Sequence, residues 1–403
     1  MVENVGIVIA GAGFAASFHL ESYAKVYGEE FTVLGVYHPD GSKAAALATR
    51  FNVPNVFTDF DQVLTRSDVD VVDLCVPNRL HAELAIRTAQ AGKHIFCEKP
   101  LTGYEGPPDA ESTGWTADGF PREQMLEAAH SSALEVADAV GKAGVTLCYA
   151  ENWVYAPSVQ KARRLMAASE GTIMRIVGEE SHSGSHADYA RQWRNAGGGS
   201  LLRLAVHPLG AAMYLKYDEG QRKNQRGIRP AFVTAEVGNL MKIEAHENNP
   251  SPWLKFDAED VEDFGTMVVT FDDGSVAQLS ATDTSLGGMV SQMTVHGSHA
   301  VVHADMTLST AVQAYTPDPD GFRGEYLTEK LETRAGWSTP QPDEHWSLGY
   351  QEQFRDFIGS VSLGREPRSG IRLALDTVSV LYGAYLSAAE GRRIDLRPYL
   401  SGS

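Results

Sequence analysis

The chain has 403 residues, 43% hydrophobic and 21% charged, with a formal net charge of -18. That length exceeds one ordinary core and predicts two domains. The charge argues against nucleic acid and anionic membrane surfaces as partners, since both select a positive face. No run of 18 apolar residues offers a membrane span.

The chain enters a strand at once with "VGIVIA" (5–10), without the layout of a signal peptide, so the cytoplasm is the expected compartment. Further strands are expected at "FTVLGVY" (31–37), "VDVVDLCV" (69–76), "HIFCE" (94–98) and "VTLCYAE" (145–151). Helix-length segments at 14–27, 42–51 and 80–91 lie between them. This alternation predicts βαβ units and a parallel, doubly wound sheet over residues 1–150. Cys75, Cys97 and Cys148 each fall in an apolar strand. They read as buried thiols of a reducing compartment, not as a disulfide set. The stretch "LTGYEGPPDAESTGWTADGFPRE" (101–123) is rich in Gly, Pro and acids and reads as a long ordered loop or lid.

From residue 151 to 403 the texture changes. Longer strands are expected within 172–184, 231–244, 264–284 and 291–305, with "DDG" as a hairpin turn. Strands in succession favour a mostly antiparallel sheet. Helices at 157–168, 198–215 and within 349–390 should cover one of its faces. The fold class is therefore α/β, in two domains.

"GAGFAA" places Gly11-x-Gly13-x-x-Ala16 directly after the first strand and at the start of a helix. The first glycine permits the tight turn and the second lets the backbone approach a pyrophosphate. The small third residue packs helix on strand, and the helix N-terminus around Phe14 and Ala15 receives the phosphates. The second strand should end in an acid that bonds the adenine ribose. His38 stands there instead, and Asp40 lies two residues on. Without that carboxylate nothing repels a 2′-phosphate, and Ser42 and Lys43 are near enough to contact one. NAD and NADP both remain open, with a lean to NADP.

"VPNRLHAELAIRTAQAGKHIFCEKPLT" (76–102) resembles the Gfo/Idh/MocA family (glucose-fructose oxidoreductase, inositol dehydrogenase, rhizopine catabolism protein). The resemblance rests on Pro77-Asn78 with His81, on Gly92-Lys93-His94 and on Glu98-Lys99-Pro100. It extends to Asn152, the glycines before His207 and the tail 354–396, and breaks at 101–123 and about 216–260. It implies an N-terminal Rossmann domain and a C-terminal α/β domain with a large open sheet. It also implies a homodimer or homotetramer through that sheet, and oxidation of a sugar or cyclitol hydroxyl or the reverse. By carry-over Lys99 is the active-site lysine, the Lys99–Pro100 bond is cis, and His207 is the catalytic histidine. Pro77, Asn78, His81, Glu98, Lys99 and Asn152 are expected around the cofactor. The chemistry agrees: removing a hydride from an alcohol leaves a proton that needs a base, and histidine has a suitable pKa. A neighbouring lysine stabilises the developing alkoxide.

Two features depart from the family's pattern. Arg203 stands where relatives carry an aspartate one turn before the histidine, and Ala205 replaces a glycine. Arg203 either pairs with an acid, for instance in 260–263, or faces the pocket and binds substrate. The loop "ESHSGSHADYARQW" (180–193), which in the family faces the nicotinamide, offers His182, Ser183, His186, Asp188, Tyr189 and Trp193. Arg203, His182, Tyr155 and Trp193 are the substrate candidates, with packing as the alternative for Tyr155. No metal is expected, because convergent ligand geometry cannot be read from His182, His186 and Asp188. Two other functions stay open beside the dehydrogenase. One is an enzyme that retains its dinucleotide to cleave a glycosidic bond or epimerise. The other is a non-catalytic sugar sensor.

Overall fold

A computed structural model describes residues 4–185 and 187–400. Six parallel strands form the first sheet: β1 (Val5–Ala10), β2 (Phe31–Tyr37), β3 (Asn55–Phe57), β4 (Val71–Leu74), β5 (His94–Glu98) and β6 (Leu147–Ala150). Their order is β3-β2-β1-β4-β5-β6. Every residue of β1 and β4 is buried, as expected for strands covered by helices on both faces. The covering helices include α1 (Phe14–Tyr23), α2 (Gly41–Phe51), α3 (His81–Gln90) and α4 (Arg122–Ala143). The order reverses between β1 and β4, so a crevice opens at their carboxyl ends, where such sheets bind ligands. The three-residue β3 was not legible in the sequence, being too short to show a period. The three cysteines are free and buried.

The second sheet contains β7 (Ile173–Ser181), β8 (Pro230–Gly238), β9 (Phe264–Phe271), β10 (Val276–Thr282), β11 (Val290–Gly297) and β12 (Val301–Asp305). A separate ribbon pairs β13 (Ala314–Thr316) with β14 (Gly336–Ser338), and β15 (Ile394–Asp395) closes one sheet edge. The sheet order is β12-β11-β7-β10-β9-β8-β15. Only β7 and β10 run parallel; the other pairs are antiparallel. Asp272-Asp273-Gly274 turns β9 into β10, with Gly274 at φ +85°. The fold is thus the α/β pairing expected: a doubly wound parallel sheet and a mostly antiparallel open one.

One face of the second sheet carries α5 (Pro157–Ala168), α6 (Ser200–Arg203) and α7 (Val206–Asn224). The single helix expected at 198–215 is broken at Leu204-Ala205. Pro208 has no N–H to give the Leu204 carbonyl, and that carbonyl takes the His207 N–H instead, at 3.1 Å. Two C-terminal helices, α8 (Tyr350–Leu363) and α9 (Ile371–Glu390), return to the first domain and pack on α1 and α4.

The 101–123 stretch is an ordered strap with one short helix, Ala110–Thr113. Tyr104, Trp115 and Phe120 pack together within it. It reaches the second domain through the Tyr104 carbonyl, which accepts from Trp193 Nε1 at 2.8 Å, and the Ala117 N–H, which donates to Asp260 at 2.9 Å. Among the described residues no helix is long and apolar enough to cross a membrane.

Candidate active site

The turn between β1 and α1 fits a dinucleotide. Gly11 has φ +122°, and a Cβ there would lie 2.1 Å from the Cys75 carbonyl oxygen, so only glycine is accommodated. A Cβ at Gly13 would meet nothing within 4 Å, which leaves the approach to the turn open. No side chain caps α1, and its first turn carries no acid. The N–H groups at Phe14, Ala15 and Ala16 are therefore left for an external anion. Ala16 is fully buried against the sheet, as the motif requires.

Beyond β2, His38 Nδ1 accepts the Asp40 N–H at 2.9 Å. The Asp40 carboxylate caps α2 through the Ser42 N–H at 3.0 Å and the Ser42 hydroxyl at 2.6 Å. Those two donors hold Asp40 below the usual carboxylate range. Lys43 stands exposed in the first turn of α2.

Several residues expected around the cofactor bind protein groups. Asn78 Nδ2 donates to the Ala196 carbonyl at 2.7 Å, across the domain boundary. The His81 ring nitrogens lie 2.7 Å from the Pro100 carbonyl and 3.0 Å from that of Val76, so this buried histidine ties α3 to the turn after β5. Asn152 Nδ2 donates to Leu348 at 2.8 Å, while its buried Oδ1 has no partner among the described residues. Pro77 lines an open cavity of about 450 Å³ with Arg79, Asp188, Tyr189, Gln192 and Asn195.

Lys99 and His207 converge from the two domains. Lys99 follows β5, and its bond to Pro100 is cis. Its Nζ donates to the Arg203 carbonyl at 2.8 Å. That carbonyl is available because the break after α6 gives the His207 N–H to Leu204 instead. Burial lowers the Lys99 pKa, against the neighbouring Glu98 and Glu151 carboxyls.

His207 sits in the first turn of α7 with Nδ1 3.0 Å from Glu151 Oε1. The same oxygen accepts the Trp153 N–H at 3.2 Å. An ionised Glu151 accepts at Oε1 from both groups and leaves His207 Nε2 as an acceptor; burial, opposed by Lys99, raises the Glu151 carboxyl well above its usual range. Burial, reinforced by the Lys99 charge, holds His207 well below its usual pKa. The site thus brings together a histidine and a lysine whose charged forms burial disfavours. Glu151, the last residue of the segment 145–151, is the group that meets the ring. Gly210, one turn beyond His207, makes room for it: a Cβ there would lie 2.4 Å from Glu151 Cγ.

Arg203 pairs with an acid, but not in 260–263. Its Nη2 donates to Asp283 Oδ2, just past β10. Both side chains are buried, and the guanidinium lies 5.5 Å from the Phe256 ring. The acids of 260–263 are engaged elsewhere. Asp260 accepts the Trp193 N–H at 2.7 Å, Glu262 accepts the Gly199 and Leu201 N–H groups at 2.9 Å each, and Asp263 accepts the Leu240 N–H at 2.7 Å. His182 Nδ1 lies 3.5 Å from the other Asp283 oxygen.

Tyr155 and Trp193 are buried, with their polar atoms bonded to protein groups. The Tyr155 hydroxyl donates to Asp356 at 2.9 Å and accepts the Ser369 N–H at 2.9 Å. Trp193 is buried against Tyr385 and donates to the strap. His186 lies outside the described residues, so the His182–His186–Asp188 grouping is not described. Among the described residues the group with metal-ligand spacing is His19, Asp73 and Cys75, whose atoms lie within 4.8 Å and bond one another.

One acid of the centre was missed in the sequence. Glu180, on β7, accepts from Ser291 Oγ at 2.6 Å, and burial pushes its carboxyl up to about 8, with Ser291 and Lys99 opposing. Its only sequence signal is a polar residue in an otherwise apolar strand face.

The fold has known relatives. Residues 5–112 match the model of an oxidoreductase family's NAD-binding Rossmann fold, and residues 169–396 match the C-terminal alpha/beta domain of the same family, Gfo/Idh/MocA. Levoglucosan dehydrogenase of Pseudarthrobacter phenanthrenivorans is 26% identical over 400 residues, covering 90% of each chain. The NADP(+)-dependent scyllo-inositol 2-dehydrogenase IolU of Bacillus subtilis is 26% identical over 218 residues, 52% of this chain and 58% of that one. The crystal structure of GenD2 from gentamicin A biosynthesis, in complex with NAD, superposes with a TM-score of 0.78 at 27% identity, covering 98% of this chain and 97% of that one. With both of its domains matched, the chain belongs to the Gfo/Idh/MocA family and is an oxidoreductase.

Proposed function

We propose that the protein is an NAD(P)-dependent dehydrogenase of a sugar, cyclitol or related polyol, with His207 as acid/base and Lys99 assisting. The observation that carries this reading is the convergence of buried His207, its Nδ1 3.0 Å from Glu151, with Lys99, whose Nζ lies 2.8 Å from the Arg203 carbonyl. A nicotinamide dinucleotide, when bound, exchanges the hydride with the substrate carbon. Gly11, Gly13, Phe14, Ala15 and Ala16 would hold its phosphates, with Pro77 and Asn152 toward the nicotinamide end. His207 Nε2 takes the hydroxyl proton, and Glu151 holds the ring in the tautomer this needs. Lys99 keeps two N–H donors beyond the one on the Arg203 carbonyl, and these stabilise the developing alkoxide.

The same proposal includes a lean to NADP, supported by the missing carboxylate at the end of β2 and by exposed Lys43. It takes Arg203 and His182 as the wall of the substrate side, through their shared partner Asp283. It divides the chain near residue 150 and places the protein in the cytoplasm. It assembles a homo-oligomer through the open face of the second sheet, where Val268 and Val301 are exposed.

The test is a screen of sugars, sugar acids and cyclitols with both cofactors, beside His207→Ala. Loss of His207 should lower kcat about 10²–10⁴-fold while dinucleotide still binds. Turnover that survives His207→Ala at the wild-type rate would rule the assignment out.

A further inference from the structure

His19, three residues beyond the glycine motif, is buried on the inner face of α1. Its Nδ1 lies 2.9 Å from Asp73 Oδ2 on β4, and its Nε2 lies 2.9 Å from Glu98 Oε1 at the end of β5. The Tyr23 hydroxyl, one turn further along α1, donates to the same Asp73 oxygen at 2.8 Å. The Cys75 sulfur lies 3.1 Å from Nδ1, and the Phe354 ring packs edge-on at 4.6 Å. Glu98 Oε2 in turn accepts the Lys99 N–H at 3.2 Å. No part of the proposed chemistry uses this group.

We propose that His19 is a positioning residue, an imidazolium clamped between Asp73 and Glu98 that fixes Glu98 beneath the Lys99 turn. The geometry requires both ring nitrogens to donate, because each faces a carboxylate oxygen. Charge then alternates along a buried line: Asp73 negative, His19 positive, Glu98 negative, Lys99 positive. Burial is the largest influence on His19 and opposes its charge, but Asp73 and Cys75, by charge and hydrogen bond together, outweigh it and hold the ring protonated well above its usual range. Burial would likewise push Glu98 up; the His19 contact reverses this and keeps it below the usual carboxylate range. An ionised Glu98 supports the Lys99 cation against its own desolvation. The helix whose N-terminus is open to phosphates thus also carries the group that aligns the lysine. This rests on the reading of Lys99 as part of the site.

His19→Gln keeps one donor, loses the charge and reaches only one carboxylate. We expect kcat/KM to fall roughly 10–100-fold, while the dinucleotide Kd changes by less than about threefold. With Glu98 no longer held ionised, its charge no longer offsets that of Lys99 at His207, and the acid limb of the kcat/KM profile should move down by about 1 pH unit. An unmoved limb, or a loss confined to the Kd, would overturn the proposal. A second measurement needs no turnover. Nitrogen-15 spectra of the wild-type histidines at pH 8, with the His19 ring assigned by its loss in His19→Gln, should show that ring of the 13 protonated at both nitrogens. Thirteen neutral rings would sink the imidazolium assignment. A wild type that shows this ring yet oxidises no polyol would separate failure of the dehydrogenase reading from failure of this one.

Discussion

Arg203 and Asp283 form a buried ion pair 80 residues apart in sequence, one on the last turn of α6 and the other just beyond β10. The family resemblance implies an acid where Arg203 stands. Here the acid comes from another element and the cation from the helix. The pair places the Arg203 backbone so that its carbonyl meets Lys99.

Removing one partner leaves the other charged and buried. Arg203→Ala should therefore destabilise the fold by about 3–5 kcal/mol, read by urea unfolding. Arg203→Met with Asp283→Asn should recover most of that loss. A double variant as unstable as the sum of the single ones would show that the pair is not coupled. If the recovered double variant still has raised KM, Arg203 also touches substrate.

Glu180 yields a pH-dependent stability. Its carboxyl is raised to about 8, so the folded chain keeps a proton that the unfolded chain releases near 4.5. Stability from this group is present below about 4.5 and falls as pH climbs toward 8. Glu180→Gln mimics the protonated acid. It should raise stability by about 4 kcal/mol at pH 8 and change it little at pH 4.5. Equal effects at both pH values would contradict the assignment.

His207 has the opposite sign. Its folded pKa lies below 6.5, so the neutral ring persists in the folded chain while an unfolded histidine takes up a proton. Stability from His207 is present above 6.5 and is lost as pH falls from 6.5 toward the folded value. For the same reason the acid limb of kcat/KM set by this base should lie below pH 6.5. A limb at 7 or above, in the wild type, would contradict a neutral buried base.

Lys43 is exposed, and screening limits what one surface charge contributes. Lys43→Ala should weaken NADP binding about 3–10-fold and leave NAD within about twofold, measured by fluorescence titration at fixed salt. Parallel losses for both cofactors would remove Lys43 from the 2′-phosphate site.

Gly11 tests the cradle itself. Gly11→Ala puts a methyl 2.1 Å from the Cys75 carbonyl at a φ of +122°. The expected outcome is a loss of more than about 2 kcal/mol of stability, or failure to fold, seen by thermal melting. A variant that melts with the wild type would mean that β1 and β4 separate more readily than the packing implies.

Local patterns determined much of this protein. Continuous apolar runs make β1, β4 and β5 central strands, because each strand must bury both faces. Gly11, Gly13 and Ala16 mark the phosphate turn, since only those residue sizes allow its backbone. The Glu98-Lys99-Pro100 motif and His207 are equally local. Tertiary structure alone decided which groups those residues meet. Asp283 and Glu151 reach Arg203 and His207 from 80 and 56 positions away, and nothing in their neighbourhoods announces it. Tyr155 and Trp193 look like cleft residues in sequence, yet their polar atoms find partners in α8 and the strap. His19 stands just past a motif that was read only as far as Ala16. Its contacts with Asp73 and Glu98 appear only when β4 and β5 pack beside β1. Chain order fixes which side chains share an element. Partners across elements depend on how the sheets pack, because burial forces each polar group to find the nearest donor or acceptor in space.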